Sequence, residues 1–109
     1  MIVQNKVLGL IGLSTKAGKV LAGREVVLEN VRKKKVNLVI CAEDASDKTK
    51  KEIKEICDKF NIKLIEFQTI EELSKTIGKE NKAIIGIKDK NLSTEIENKI
   101  YGGDANGEN

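Results

Sequence analysis

Two hydrophobic spacings alternate along the chain. From Ile53 to Phe60, apolar side chains recur at i, i+3, i+4 and i+7, the spacing of the buried stripe of an amphipathic helix. Residues 36–42 instead form a near-continuous apolar run rich in β-branched side chains, which is typical of a strand covered on both faces. Together with turn residues, these spacings predict helices over about 5–17, 24–34, 46–60, 70–77 and from 93 onward, and strands over 20–22, 36–42, 62–67 and 83–87.

Capping residues mark several of the predicted helix starts. Thr69 and Glu72 have the spacing of a capping box, in which a threonine oxygen accepts a hydrogen bond from the amide three residues later. Gly78 follows at the other end of the same helix, where glycine commonly ends helices. The predicted N-caps are Ser46 or Asp47 for the third helix, Thr69 for the fourth, and Ser93 or Thr94 for the last.

The alternation of helices and strands predicts an α/β fold. We expect a three-layer α/β/α sandwich around a four-stranded mixed sheet. A chain of 109 residues supports one such domain with a modest core. We expect this single domain to occupy residues 1–101, and residues 102–109, GGDANGEN, to form a disordered tail.

Composition removes several kinds of site. The chain has no histidine and only two cysteines, Cys41 and Cys57, which lie far apart in the sequence. Structural zinc, Cys-His catalysis and Ser-His-Asp catalysis are therefore excluded. We expect both thiols to be reduced and buried in the core, and we predict no metal and no cofactor. No apolar run approaches the roughly 20 residues that a membrane span needs, so we expect a cytoplasmic protein without membrane partners. We also expect a monomer.

Two segments have an incomplete resemblance to catalytic motifs. Residues 12–20, GLSTKAGKV, resemble a phosphate-binding P-loop, but five residues separate Gly12 from Gly18 where the motif has four, and Val20 replaces the metal-binding hydroxyl. Glu43 and Asp44 follow a buried strand, where open α/β sheets often bind ligands. No histidine or third acid completes a set there, so loop polarity and helix capping are the favoured interpretation.

Positive charge is concentrated in the first third of the chain. Residues 1–40 carry eight basic and two acidic side chains, whereas residues 41–109 carry twelve basic and fifteen acidic ones. Gly23 precedes the second helix, whose N-terminal amides point toward a potential phosphate. Only three residues of the chain are aromatic, which argues against a stacking platform for single strands and favours a structured RNA.

Four segments, in this order and spacing, resemble the ribosomal L-seven-Ae/L-thirty-e family and in particular its small bacterial branch. They are residues 23–29 (GREVVLE), 38–46 (LVICAEDAS), 57–62 (CDKFNI) and 71–73 (EEL). The resemblance runs from about residue 7 to residue 88. It implies an α/β/α sandwich that binds kink-turn RNA through the N-terminal end of the second helix and the loop before the last strand.

The resemblance also assigns individual positions. The family's strongest kink-turn binders have Gly, a variable residue and then Asn-Glu, with Lys three positions after the Glu; here Gly23 is kept, while Glu25, Val26 and Glu29 replace the others. Ser46 stands where some relatives contact an extruded base. The RNA-binding residues predicted from charge and resemblance together are Lys16, Lys19, Gly23, Arg24, Glu25, Val26, Lys33, Ser46, Lys79 and Lys82.

These observations predict a non-enzymatic RNA-binding protein that recognises a kink-turn or related internally looped RNA in a ribosomal or translation-related context. One alternative keeps the fold as a protein-interaction module that has lost kink-turn specificity. A second alternative is a small enzyme with its site at Glu43 and Asp44.

Overall fold

Five α-helices and four β-strands alternate in residues 2–102, the part of the chain that the computed structural model describes, with side chains described for residues 4–101. Most of the predicted tail, residues 103–109, lies outside the described residues. The elements are α1 Ile2–Lys16, β1 Val20–Ala22, α2 Arg24–Arg32, β2 Leu38–Cys41, α3 Asp47–Phe60, β3 Lys63–Glu66, α4 Ile70–Ile77, β4 Ile84–Ile87, α5 Lys90–Glu97 and a π-helical turn Asn98–Gly102.

The four strands form one mixed sheet in the order β1-β4-β2-β3. β2 and β3 are parallel, whereas β4 is antiparallel to both β1 and β2. Consequently β1, β2 and β3 all end where β4 begins; we refer to this as the Gly23 end of the sheet. At the opposite end, which we refer to as the Lys19 end, β1, β2 and β3 begin and β4 ends.

The helices cover both faces of this sheet, which confirms the predicted sandwich. α1, α4 and α5 pack on one face, where Leu38 and Ile40 of β2 are buried. α2 and α3 pack on the other, where Val39 and Cys41 of β2 are buried. Because both faces of β2 are covered, all four of its residues are apolar and none alternates with a polar one.

Local capping signals predicted two of the helix starts. The Thr49 amide donates to the Ser46 hydroxyl at 3.1 Å, so Ser46 caps α3. The Glu72 amide donates to the Thr69 hydroxyl at 3.1 Å, so Thr69 caps α4 as the sequence pattern predicts. In residues 2–102, no helix is both long and apolar enough to cross a membrane.

The predicted start of the last helix was wrong. Asp89 caps α5 by accepting a hydrogen bond of 2.8 Å from the Leu92 amide, so Ser93 lies inside the helix and not at its cap. The earlier start places Leu92 inside the helix, one turn before the buried Ile96 and packed against the same core.

Both cysteines are free and buried, as predicted. Removal from water disfavours a thiolate, so burial raises the pKa of Cys57 to about 11 and also raises the pKa of Cys41. Cys57 of α3 and Cys41 of β2 are therefore part of the core between this helix and the sheet and are poorly suited to nucleophilic chemistry.

Candidate nucleic-acid interface

The N-terminus of α2 lies at the Gly23 end of the sheet. Gly23 has φ 103° and ψ 150°, a conformation that residues with a side chain rarely adopt. Its amide donates to the Ile84 carbonyl at 2.9 Å, which fixes the start of α2 to the start of β4. As glycine, it supplies no side-chain acceptor to the first-turn amides of the helix, so these N–H groups can bind an anion.

Lys82 lies beside Gly23 although the two residues are far apart in sequence. A methyl group added at Gly23 would lie 3.8 Å from the Lys82 ammonium nitrogen and 3.9 Å from its Cδ. A methyl group would thus fit beside Lys82 at ordinary contact distance, and it is the positive φ that requires glycine here. The absence of a side chain also lets a ligand come close to the helix amides. Positive charge and unpaired amide donors converge at this point.

Buried Ser74 holds the backbone that carries Lys82. The Lys82 amide donates to the Ser74 hydroxyl at 2.8 Å, and this hydroxyl donates to the Lys82 carbonyl at 3.3 Å. Ser74 is only 4% exposed, and the Lys79 amide donates to its carbonyl. Sequence reasoning missed Ser74, whose only signal is a small polar residue between the buried Leu73 and Ile77 of α4.

The loop after β2 adds a third segment to the Gly23 end. The Ala42 amide donates to the Ala83 carbonyl at 2.8 Å, so this loop is tied to the one that carries Lys82. Ser46 is exposed, and its hydroxyl also donates to the Thr49 hydroxyl at 3.0 Å. Asp44 accepts a hydrogen bond of 2.8 Å from the Ile70 amide, which confirms the helix-capping interpretation of this carboxylate.

Arg24, the first residue of α2, forms an ion pair with Glu52 of α3. Its Nε and Nη2 atoms each lie 2.6 Å from one carboxylate oxygen of Glu52. The hydrogen bonds to Glu52 raise the pKa of Arg24, and the same bonds lower the pKa of Glu52. The charge of Arg24 is thus compensated in this structure, which sequence reasoning missed because Glu52 lies 28 residues away.

The structure separates the predicted site residues into two groups. α2 spans about 14 Å from its first to its last turn, so Lys33, which caps its C-terminal end and pairs with Glu29 at 3.0 Å, lies away from Gly23. Lys16, at the end of α1, and Lys19, just before β1, lie at the opposite end of the sheet from Gly23. The predicted residues that lie on the segments meeting at the Gly23 end are Gly23, Arg24, Glu25, Val26, Ser46 and Lys82. Lys79 lies at the start of the loop that leads to Lys82, and its amide donates to the Ser74 carbonyl.

The fold is similar to that of solved structures. A protein of unknown function from Bacillus halodurans C is 34% identical and superposes with a TM-score of 0.84, covering 87% of this chain and 96% of that one. A Giardia lamblia 15.5kD RNA binding protein superposes with a TM-score of 0.77 at 19% identity, covering 92% of this chain and 88% of that one. The second similarity concerns the fold alone.

Sequence comparison finds relatives that match most of the chain. An RNA-binding protein YlxQ from Enterococcus faecium is 32% identical over 99 residues, which cover 91% of this chain and 95% of that protein. An RNA-binding protein YlxQ from Bacillus subtilis (strain 168) is 28% identical over 87 residues, which cover 80% of this chain and 87% of that protein. A sequence model of one family matches residues 5–97. The chain therefore belongs to the Ribosomal protein L7Ae/L30e/S12e/Gadd45 family.

Proposed function

We propose that this chain is a non-enzymatic RNA-binding protein that recognises a kink-turn or related internally looped RNA. It acts as a cytoplasmic monomer in a ribosomal or translation-related context. The observation that carries the proposal is the convergence of the uncapped α2 amides at Gly23 with the Lys82 ammonium group. The relatives from Enterococcus faecium and Bacillus subtilis, both named as RNA-binding proteins, support it.

Phosphate groups are the ligand that fits this arrangement. A helix N-terminus carries about half a positive charge, and its free N–H groups point along the helix axis. Lys82 adds a full charge beside the same amides, and the glycine allows a phosphate to come close to the backbone. A sharp bend in an RNA backbone presents phosphates to such a compact donor set, whereas a straight duplex spaces them along its length.

Recognition of the bend depends on shape more than on base contacts. Glu25 and Val26 occupy the positions where strong kink-turn binders use Asn and Glu to reach the sheared G·A pairs. Val26 is 43% exposed and has no polar atom in its side chain with which to bond a base edge. Backbone amides, Lys79 and Lys82 on the phosphates, and Ser46 beside the bend would then supply the affinity.

A binding titration tests this proposal. The protein is titrated with a kink-turn RNA and with a straight duplex of equal length, and we expect tighter binding of the kink-turn. Lys82→Ala should weaken kink-turn binding several-fold, because one phosphate contact is lost. The matched control is Lys75→Ala, which removes an exposed lysine of α4 and should leave the affinity within about twofold of the parent.

Two observations favour a second candidate function, a protein-interaction module that has lost kink-turn specificity. Glu52 neutralises Arg24 at the first turn of α2, and Val26 presents apolar surface at the position where the family's strongest kink-turn binders have Glu. Equal affinity for the kink-turn and the straight duplex would support this candidate and contradict the proposed RNA specificity.

A further inference from the structure

The Lys19 end of the sheet gathers lysines from three separate segments. Val20 of β1 pairs with Ile87 of β4, which in turn pairs with Leu38 of β2. Just beyond this row, the Lys88 amide donates to the Lys19 carbonyl at 2.8 Å, so these two lysines continue the β1–β4 ladder. Neighbouring strands lie about 4.8 Å apart. Two lysine side chains are therefore presented side by side at this end.

The turn between α2 and β2 brings two more lysines to the same end. The Asn37 amide donates to the Ile87 carbonyl at 2.8 Å, which places the turn next to Lys88. Lys34 has φ 59°, a left-handed conformation for which glycine or asparagine is preferred, and the Lys35 amide is tied to the Asn30 carbonyl at 2.9 Å. Lysine thus occupies position 34, although the left-handed backbone there favours glycine or asparagine.

Charge at this end is poorly compensated. Within residues 4–101, Glu29 pairs with Lys33, whereas Lys19, Lys34, Lys35 and Lys88 form no ion pair. All four are exposed. The carboxylate of Asp89, the acid next to Lys88, is occupied by the Leu92 amide. We refer to Lys19, Lys34, Lys35 and Lys88 as the distal lysine cluster.

We propose that the distal lysine cluster is a second RNA-binding surface, which contacts the phosphate backbone of a duplex arm that leaves the bend held at the Gly23 end. This inference rests on the proposed function. The domain measures 36 × 28 × 27 Å, so an arm of roughly 20 base pairs, at about 3 Å per base pair, is longer than the domain. Exposed lysines on turns suit phosphate contacts that do not depend on sequence.

The test compares two kink-turn RNAs, one with arms of about 4 base pairs and one with an arm of about 20. The probe variant is Lys35→Glu/Lys88→Glu. The control variant is Lys6→Glu/Lys51→Glu, which makes the same change in net charge at exposed positions of α1 and α3. A thermal unfolding scan of each variant establishes that the fold is retained.

We expect the parent to bind the long-armed RNA at least about tenfold more tightly than the short-armed one, and the probe variant to lose most of this gain. Binding of the short-armed RNA should change by less than about twofold. Log affinity falls as log salt rises, and this negative slope should become shallower by about 0.7 to 0.9 for each phosphate contact that the probe variant loses on the long-armed RNA. The control variant should keep the parent's gain.

Equal binding of the two RNAs by the parent, or equal losses in the probe and control variants, would overturn the inference. Binding of the parent to anionic phospholipid vesicles through the same lysines, without any gain from the long arm, would overturn it in favour of a membrane surface. If instead the probe variant loses the gain from the long arm while bent and straight RNAs bind the parent equally, the proposed kink-turn function fails. The distal lysine cluster would then be a duplex-binding surface that does not depend on a bend at the Gly23 end, which overturns the inference in its stated form.

Discussion

The guanidinium group of Arg24 is bound by both carboxylate oxygens of Glu52, each at 2.6 Å, which joins the first turn of α2 to α3. The pair is partly exposed, with 43% of the Arg24 side chain and 37% of the Glu52 side chain accessible. An arginine at a proposed phosphate site is thereby engaged in the absence of RNA. Any phosphate that uses Arg24 must compete with Glu52 for it.

Glu52→Gln should therefore strengthen RNA binding. Removing the carboxylate frees Arg24 and deletes a negative charge beside the α2 N-terminus, and we expect roughly two- to fivefold tighter binding at low salt. Glu55→Gln is the control, because it removes an exposed carboxylate from the same helix. An equal gain in both variants would mean that only net charge matters, and that Arg24 is not held back by Glu52.

The same pair predicts a pH dependence of stability. Hydrogen bonding to Arg24 lowers the pKa of Glu52, so the folded state binds the proton less tightly than the unfolded state does. The pair therefore contributes fully to the free energy of unfolding above about pH 5, where a glutamate is ionised even in the unfolded chain. This contribution is lost as the pH falls through the lower pKa that Glu52 has in the folded state. Urea unfolding of the parent and of Glu52→Gln at pH 7, 5 and 3 checks this: the difference between them should shrink only at the lowest pH.

Buried Ser93 allows a test of what a hydroxyl without a hydrogen-bond partner costs in stability. It is 2% exposed, and its hydroxyl finds no hydrogen-bond partner within the part of the chain that the structure describes. An unsatisfied buried hydroxyl costs about 1 to 3 kcal/mol, and alanine has the higher helix propensity. Ser93→Ala should therefore leave the free energy of unfolding unchanged or raise it by about 1 kcal/mol, measured by urea titration. A clear loss of stability would mean that the hydroxyl is satisfied.

Local sequence predicted most of the fold because most element boundaries have local causes. Ser46 and Thr69 bond to amides three residues away, and such contacts are visible in the sequence. The last helix was mispredicted because Asp89 and Ser93 are both good N-caps. In the folded chain Asp89 is the cap, so Leu92 lies within the helix and packs against the core.

The site was less predictable because its contacts join distant segments. Lys82 reaches Gly23 only through the pairing of β1 with β4, and Arg24 meets Glu52 only because α2 packs beside α3. Counting charge along the chain placed Lys19 in one surface with Gly23, although the length of β1 separates them. A charge count ignores which end of an element a residue occupies. The predicted strand 20–22 and helix 24–34 already place Lys19 and Lys33 at the ends away from Gly23, so the error lay in grouping these residues by sequence position.

Cys57 should react slowly with thiol reagents in the folded protein. Burial raises its pKa to about 11, so little thiolate is present at pH 8 and the sulfur is covered by the core. Modification by Ellman's reagent at pH 8 should become rapid only when urea unfolds the chain. Rapid labelling of both cysteines in the native protein would contradict their burial between α3 and the sheet.

Ser74→Ala should lower stability, whereas Ser93→Ala should not, although each substitution deletes a serine hydroxyl from a buried position in a helix. Ser74 accepts from the Lys82 amide and donates to the Lys82 carbonyl, so its removal leaves two backbone groups unpaired and should cost about 1 to 3 kcal/mol of unfolding free energy. Because the loop would no longer hold Lys82 beside Gly23, kink-turn affinity should fall as well, by roughly the several-fold loss expected for Lys82→Ala.

The double variant Ser74→Ala/Lys82→Ala tests whether Ser74 affects RNA binding only by positioning Lys82. If it does, Lys82→Ala adds little to the loss of affinity that Ser74→Ala already causes. Fully additive losses would mean that Ser74 affects the RNA by another route.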